Sequence, residues 1–406
     1  MIDERVKTHT FLLQPMSYET VVQTVKLNLE TSQKKNEKVQ KGIDEFLEMC
    51  GYLSHMMPTF PENEWHDKNN SMYNLLKKKY TAEGSDDAWD EAFVNTRVPL
   101  QVQEKVVGAY KSWSSNGKPG ENPDFVDSLE ESNYISIKAS NVDIEENERG
   151  VGIKFRFIPY DPIWFHVKPN PFSEKYLDKL LDGDAENGSC ELHLHEDGSL
   201  VAHQTVKWDV DVLEDEDAET AIGVDIGDKV LHAITGMDEN GEVLDVEIRP
   251  GREVRHYRDR LKKKRKELQE QDDRRRVIKC KGEQERYTDQ SLDTSSREII
   301  DFALSFDRPK IVLEDLTDYR ETAEDPLHDW PYGKHQEKIM YKAKAEGIPV
   351  EVVDARNTSA GCRKCGQVNQ EYRDGRDFHC RRCGYEVHAD VNAAMNLAQA
   401  GLEQKA

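Results

Sequence analysis

Two CxxC pairs near the C-terminus constrain the fold of this chain more than any other feature. Cys362 and Cys365 form the first pair and Cys380 and Cys383 the second, with fourteen residues between the pairs. Each pair directs two thiolates towards one point, and four thiolates close a tetrahedral zinc site that has no open position. The sequence therefore predicts a zinc ribbon at about residues 356–386, held by a structural Zn²⁺ ion.

The remaining cysteines argue against a disulfide-bonded extracellular protein. Cys50, Cys190 and Cys280 are scattered along the chain, and we expect them to be buried thiols. No apolar run approaches the roughly 18 residues of a membrane span, and the charged N-terminus lacks the apolar region of a signal peptide. We therefore expect a cytoplasmic protein without a membrane segment.

The order of predicted elements suggests several domains in the 406 residues. An early strand at 7–13 precedes a helical block that begins at residue 17, and further strands follow from residue 134. This pattern predicts a small β-barrel that carries a helical insertion. The proposed boundaries are 1–16 for the first barrel strand, 17–130 for the helical domain, 131–212 for the rest of the barrel and 213–220 for an acidic linker.

Residues 221–406 carry a different pattern, which predicts an α/β domain. Segments 221–227, 230–235 and 242–248 read as antiparallel strands, and two later strands at 311–316 and 350–353 alternate with helices. Three antiparallel strands followed by helix and strand alternation is the order of an RNase H-like sheet. The fold class expected here is therefore an RNase H-like α/β domain with an inserted zinc ribbon.

Three acidic residues occupy unusual places in this domain. Asp225 interrupts an apolar strand, Glu314 ends another, and Asp390 opens an alanine-rich helix. A carboxylate in a buried strand is costly unless a cation or hydrogen bonds compensate its charge. Three converging carboxylates can hold two Mg²⁺ ions, which stabilise the attacking and leaving oxygens of a phosphodiester displacement. Taken singly, each carboxylate could instead be structural, and a DIG sequence after a strand also occurs in actin-like ATPases.

The charge distribution is uneven, although the net charge of −23 argues against a nucleic-acid partner at first sight. Residues 252–281 contain fourteen Lys or Arg and six Asp or Glu, a local balance of +8. Candidate contacts to a nucleic-acid backbone have helical spacing and are Arg255, Arg258, Lys262, Arg265 and Lys266. The alternative is a solvated helix whose charges offset nearby acids.

Four segments resemble the signature blocks of TnpB proteins. They are GVDIG at 223–227, IVLEDL at 311–316, TSAGCRKCG at 358–366 and DVNAAMN at 390–396. TnpB proteins are encoded by insertion sequences and are similar to the nucleases from which type V CRISPR effectors are thought to derive. The resemblance is specific from about residue 221 to 400, weaker for the strands of 134–212 and faint for the helical block.

The resemblance implies an RNA-guided DNA endonuclease associated with a transposable element. Its guide RNA would come from the transposon end, and a short motif beside the DNA target would license unwinding. The 221–406 segment would be a RuvC-like nuclease domain, the barrel a wedge domain and the helical block a recognition domain. By motif position, the catalytic residues that bind two Mg²⁺ or Mn²⁺ ions would be Asp225, Glu314 and Asp390, and the zinc ligands Cys362, Cys365, Cys380 and Cys383.

Two other functions compete with this interpretation. A guide-binding DNA-recognition protein could regulate transposition or transcription without cutting, and loss of a triad carboxylate would favour it, but all three are present. An actin-like ATPase would need a second phosphate loop and an adenosine motif, and neither is found. The chain departs from the family pattern at 292–295 (LDTS), where an Asn-His pair is common, and in its acidity.

Overall fold

The structure is a computed structural model that describes residues 17–60, 65, 71–80, 98–115, 133–158, 160–316, 330–354 and 358–403. The strand predicted at 7–13 lies outside these residues. The chain divides into two compact units, residues 20–209 and residues 210–406 together with 1–19. Among the described residues, no helix is long and apolar enough to span a membrane.

The first unit combines helices with two antiparallel sheets. Its strands are β1 (Ser17–Leu29), β2 (Tyr134–Ile137), β3 (Val142–Asn147), β4 (Gly150–Phe155), β5 (Ile163–His166), β6 (Glu186–Leu194) and β7 (Leu200–Val212). Its helices are α1 (Gln33–Met56), α2 (Ser71–Tyr80), α3 (Val98–Ser115) and α4 (Pro171–Asp182).

Strand β1 corrects the prediction that the helical block begins at residue 17. Residues Val21, Val25, Leu27 and Leu29 are buried while Val22 is 59% exposed, which approaches the period-2 alternation of a strand. β-Branched residues are frequent in this segment and favour extended backbone. The helical prediction holds only from Gln33 onwards, so the boundaries of the two predicted domains shift accordingly.

The two sheets of this unit have the orders β1-β7-β6-β2 and β3-β4-β5. A single bridge between Leu29 and Val167 joins the end of β1 to the end of β5. The predicted strands in this part of the chain are confirmed, with β3 and α4 added. Closure of these sheets into a wedge-type barrel remains a prediction.

The second unit contains a five-stranded sheet and a separate three-stranded one. The strands of the large sheet are β8 (Thr220–Ile226), β9 (Val230–Asp238), β10 (Val243–Pro250), β11 (Pro309–Glu314) and β12 (Val350–Val353). Its helices are α5 (Arg252–Glu270), α6 (Arg274–Ala303), α7 (Tyr332–Ala345) and α8 (Ala389–Glu403).

The large sheet has the strand order β10-β9-β8-β11-β12. Strands β8, β9 and β10 pair antiparallel, whereas β11 pairs parallel with both β8 and β12. This is the order and direction expected of an RNase H-like sheet. Alternation along β8 sends Ile222 and Val224 to a core shared with α6 and α7, and Ala221 to a core shared with α8.

The basic segment 252–281 is not one continuous helix. It divides between α5 and the start of α6, with Asp272 in a left-handed conformation (φ 55°) between the two helices. Helix α6 then continues to Ala303. The charges are therefore carried by a helical hairpin.

Residues 358–388 hold the small sheet. Its strands are β13 (Arg373–Asp374), β14 (Asp377–His379) and β15 (Glu386–His388), all paired antiparallel. Gly375 takes a φ of 62° in the tight turn between β13 and β14, a conformation that favours glycine. Strand β15 leads directly into α8, so the ribbon and the helix that carries Asp390 are adjacent in the chain.

Candidate metal centres and basic surface

The structure brings the three predicted carboxylates to one end of the large sheet. Asp225 lies near the end of β8 and Glu314 ends β11, and the two strands pair in parallel register with Val224 opposite Leu313. The alternation of strand side chains places both carboxylates on the face that packs against α8. Asp390 is in the first turn of that helix.

Electrostatic coupling shows that these groups are close. The pKa of Asp225 is raised well above its usual range, first by burial and then by the neighbouring carboxylates of Asp390 and Glu314. The guanidinium of Arg373 acts in the opposite direction on this pKa. Burial also raises the pKa of Glu314, against the hydrogen bond from Thr358. The site therefore holds more negative charge than its own cations neutralise.

Two residues that the sequence analysis missed position the carboxylates. Arg373 in the ribbon donates a hydrogen bond of 2.6 Å to Oδ1 of Asp390. The hydroxyl of Thr358 donates to Oε1 of Glu314 at 3.3 Å. In each contact the two residues are far apart in the sequence, by 17 positions for Arg373 and Asp390 and by 44 for Thr358 and Glu314. Local sequence patterns therefore do not predict these contacts.

The donor set suits hard divalent cations. Carboxylate oxygens are the preferred ligands of Mg²⁺, and an uncompensated cluster of them favours cation binding. Among the described residues, the clusters whose ligand atoms all lie within 4.8 Å of one another do not include this triad. The three carboxylates are therefore spread more widely than the ligands of those clusters.

The four cysteines of the CxxC pairs converge, as their spacing predicts. Their sulfur atoms all lie within 4.8 Å of one another, with Sγ separations of 3.7 Å for Cys362–Cys383 and 3.6 Å for Cys365–Cys380. Thiolates bound to one tetrahedral zinc at about 2.3 Å would be separated by about 3.8 Å. The cluster therefore has the dimensions of a closed, structural zinc site.

Backbone N–H groups near the cluster favour the ionised form of one of its thiols. Burial acts to raise the pKa of Cys380, but backbone N–H groups of Arg382 and Cys383 and the neighbouring thiols lower it to about 6. Burial raises the pKa of Cys362 to about 12. One thiolate is thus favoured at neutral pH, and full ionisation of the four groups requires the charge of a metal ion.

Three arginine side chains of the ribbon form hydrogen bonds or ion pairs with other groups of the protein. Arg363 donates to the backbone carbonyl of Gly241 at 3.0 Å, and Arg382 donates to the side chain of Gln367 at 3.0 Å. Arg381 pairs with Glu371 at 3.2 Å. The side chain of His379 is 60% exposed and lies 3.5 Å from Glu386.

Arg258 is the one backbone-contact candidate that the structure places away from solvent. It is only 8% exposed, donates to Oγ1 of Thr288 at 3.1 Å, and lies over the ring of Trp330 at 5.1 Å. Helical spacing alone put it in the basic strip, but the folding of α6 back onto α5 covers that position. The other four candidates, Arg255, Lys262, Arg265 and Lys266, remain at least partly exposed.

A cleft of about 1050 Å³ lies between α5, α6 and the start of α7. Five basic side chains line it, namely Arg258, Lys262, Arg265, Lys281 and Lys334, together with the acidic side chains of Glu285 and Asp289. Polar groups of Gln269, Gln284 and Thr288 contribute to the same walls. Basic groups therefore outnumber acidic ones in the cleft, which suits a phosphate-bearing chain.

Fold and site together define a mixed α/β protein with a carboxylate centre at the end of its sheet and a four-cysteine ribbon beside it. The sequence model of the Cas12f1-like TNB domain matches residues 332–397, which include the ribbon and most of α8. The chain is similar to TnpB proteins and type V effectors, as the sequence resemblance implied.

Relatives by sequence include Cas12f endodeoxyribonucleases and TnpB-like proteins. A Cas12f1 endodeoxyribonuclease of Sulfoacidibacillus thermotolerans is 43% identical over 104 residues, 25% of each chain. A TnpB-like protein of Methanocaldococcus jannaschii is 25% identical over 262 residues, 61% of this chain and 90% of that protein. The matches to the first two Cas12f1 relatives thus span only about a quarter of each relative's length.

Similarity of structure extends over nearly the whole chain. A cryo-EM structure of a Cas12f1–sgRNA–target DNA complex superposes with a TM-score of 0.55 and 15% identity. The superposition covers 93% of this chain and 99% of that one. At this identity the likeness concerns the fold.

Proposed function

We propose that this chain is an RNA-guided, metal-dependent DNA endonuclease associated with a transposable element. The observation that carries the proposal is the meeting of Asp225, Glu314 and Asp390 on one face of the sheet, where burial and then the neighbouring carboxylates raise the pKa of Asp225. Clustered carboxylates that are not neutralised by the protein are typical of sites that bind catalytic cations. The family relatives named endodeoxyribonucleases support the same activity.

The three carboxylates would hold two Mg²⁺ ions, or Mn²⁺ in their place. Bound ions of this kind stabilise the attacking and leaving oxygens of an in-line phosphodiester displacement. The chain's own residues orient this centre: Thr358 holds one oxygen of Glu314 and Arg373 holds one oxygen of Asp390. Arg373 also lowers the cost of gathering three negative charges in one place.

Nucleic-acid binding is proposed for the basic hairpin and its cleft. The net charge of the chain is −23, so backbone contacts need a local concentration of positive charge. On α5, this charge comes from the partly exposed Arg255, the exposed Lys266 and the cleft residues Lys262 and Arg265. The proposed partners are a guide RNA derived from the transposon end and a DNA target with an adjacent motif.

The test begins with RNA sequencing of material that co-purifies with the protein when it is expressed with its flanking DNA. A guide identified in this way is then combined with the protein and a DNA library that carries the matching target beside randomised sequence. We expect Mg²⁺-dependent cleavage of targets next to one short motif. The matched controls are Asp225→Ala, Glu314→Ala and Asp390→Ala, each of which should reduce cleavage by at least about a hundredfold.

Two results would contradict the proposal. Cleavage that all three variants retain would remove the carboxylates from the reaction. Guide and target binding without cleavage by the wild-type protein would instead support the regulator that binds DNA without cutting it.

A further inference from the structure

A second polar cluster lies on the opposite face of the large sheet from the three carboxylates. His232 in β9 stands opposite Arg249 of β10, and Glu247 of β10 stands opposite Ile234, so these side chains share one face. Helix α6 covers that face and adds Ser295 and, one turn further on, Glu298. Ligand atoms of His232, Glu247 and Glu298 all lie within 4.8 Å of one another.

The imidazole of His232 is fully buried, and only one of its two ring nitrogens has a hydrogen-bond partner. Its Nδ1 lies 2.7 Å from the hydroxyl of Ser295, whereas its Nε2 has no hydrogen-bond partner. The carboxylate atom Oε1 of Glu247 is 4.0 Å from Nε2, which is too far for a hydrogen bond. A buried ring nitrogen that faces an acidic group without bonding to it is unfavourable unless something lies between them.

Both the tautomer and the charge of His232 favour ligation. If Nδ1–H donates to Ser295, the lone pair of Nε2 is directed away from that bond, as in histidines that bind metals. Burial, helped by the positive charge of Arg249, lowers the pKa of His232 to about 3. The ring is therefore neutral at physiological pH, which is the state that binds a cation.

We propose that His232, Glu247 and Glu298 form a binding site for a first-row divalent cation. One imidazole and two carboxylates suit ions such as Zn²⁺, Co²⁺ or Mn²⁺ better than Mg²⁺. Ligand bonds of about 2.0–2.2 Å would bring Nε2 and Oε1 to about 3.4 Å in a tetrahedral site, so a small rotation of Glu247 suffices.

The charge balance of the cluster permits the additional cation. Arg249 pairs with Oε1 of Glu298, which leaves Oε2 to serve as the ligand. Two carboxylates, one guanidinium and a neutral imidazole carry a net charge of about −1 before the ion binds. The side chains of Glu247 and Glu298 are 50% and 37% exposed, so the ion can enter from solvent. Once bound, it would tie the edge strand β10 to α6.

The experiment uses the full chain with its ribbon loaded with zinc, and adds Co²⁺ as the probe. A histidine that binds Co²⁺ gives a strongly shifted, exchangeable imidazole N–H signal in proton NMR. The four cysteines cannot produce this signal, but His388 lies 4.0 Å from Asp390 of the triad and His193 and His203 form a cluster with Glu191, so the variants below are needed to assign it. We expect one such signal in the wild-type protein, protected from rapid exchange because Nδ1–H is buried against Ser295.

Three variants locate the signal. Glu247→Gln and Glu298→Gln each remove a ligand at a partly exposed position without opening a core cavity, and each should weaken Co²⁺ binding there by at least about tenfold. Glu239→Gln, an exposed carboxylate of the β9–β10 turn, is the matched control and should leave the signal unchanged. Absence of the signal at saturating Co²⁺ would overturn the proposal, as would its persistence in both ligand variants.

Discussion

The backbone of Ala394 occupies the space that a side chain at Gly223 would need. A Cβ atom built on Gly223 would stand 2.0 Å from the carbonyl oxygen of Ala394 and 2.5 Å from the backbone nitrogen of Ala398. Helix α8 therefore lies directly on β8. The contact is two residues before Asp225 on the strand and one turn after Asp390 on the helix. This close approach helps to set the distance between the two carboxylates, because both stand on the elements that it joins.

Replacing Gly223 by alanine should force α8 away from the sheet. We expect the free energy of unfolding to fall by about 3 kcal/mol, since backbone atoms cannot yield as a flexible side chain can. Cleavage should fall as well, because Asp390 moves with the helix. Urea denaturation and the guided cleavage assay measure the two effects.

The control for this variant is Gly282→Ala in α6. There the nearest atom is the flexible end of Arg286 at 3.2 Å, and alanine favours helix. A gain of about 0.5–1 kcal/mol is expected at that position. Equal stability of the Gly223 variant and the wild type would show that the helix does not depend on the contact.

The raised pKa of Asp225 predicts how stability depends on pH without divalent cations. The folded state holds the proton of this carboxyl more tightly than the unfolded state, whose pKa is about 3.9. The resulting stabilisation is complete below about pH 4 and is lost as pH rises through the higher pKa of the folded state. Mg²⁺ competes with that proton, so its stabilising effect should grow over the same range.

Asp225→Asn is the variant that tests this prediction. It keeps the size of the side chain but cannot ionise, so the part of the pH dependence due to Asp225 should disappear. Thermal unfolding of both proteins from about pH 4 to 8, with and without Mg²⁺, provides the comparison. An identical pH profile for the variant and the wild type would contradict a titration of Asp225 in this range.

The four-cysteine cluster predicts one tightly bound Zn²⁺ per chain. A closed thiolate site contributes directly to folding, so removing one ligand should release the ion and unfold the ribbon. We expect Cys365→Ser to lose this zinc, whereas Cys280→Ser, which changes a buried cysteine outside the cluster, should retain it. Metal analysis after dialysis against a mild chelator measures the content. A folded, active chain without zinc would refute a structural role for the ion.

The basic hairpin predicts a salt-dependent interaction with nucleic acid. Removing one side chain that binds a phosphate should lower the slope of log affinity against log salt concentration by about one unit. Replacing Arg255, Arg265 and Lys266 by alanine should therefore weaken guide binding and flatten this slope without changing the sequence preference. Filter binding at several salt concentrations checks the result, and an unchanged slope would show that these residues only face solvent.

Arg258 provides the contrast within the same helix. Because it is buried against Thr288 and Trp330, Arg258→Ala should cost about 1–3 kcal/mol of unfolding free energy. Arg265→Ala should change that free energy by less than about 0.5 kcal/mol. Urea denaturation of the two variants separates a structural arginine from a surface one, and similar values for both would contradict the assignment.

Features that depend on local sequence were predictable from the sequence alone. The apolar strands around Asp225 and Glu314, the helix of Asp390 and the spacing of the cysteines each occupy a few consecutive residues. Their patterns follow directly from strand period, helix period and the geometry of metal ligands. For that reason the succession of strands and helices along residues 221–406 and the convergence of the four thiols agree with expectation.

Features that depend on partners distant in the chain were decided by the tertiary structure. Residues 17–29 became a strand because β7 pairs with them, and Arg258 became buried because α6 folds back on α5. The contact of Arg373 with Asp390 and the cluster around His232 likewise join separate elements. A sequence pattern records which residues suit a helix, a strand or a ligand, but packing between remote segments determines which of them meet and which are shielded from water.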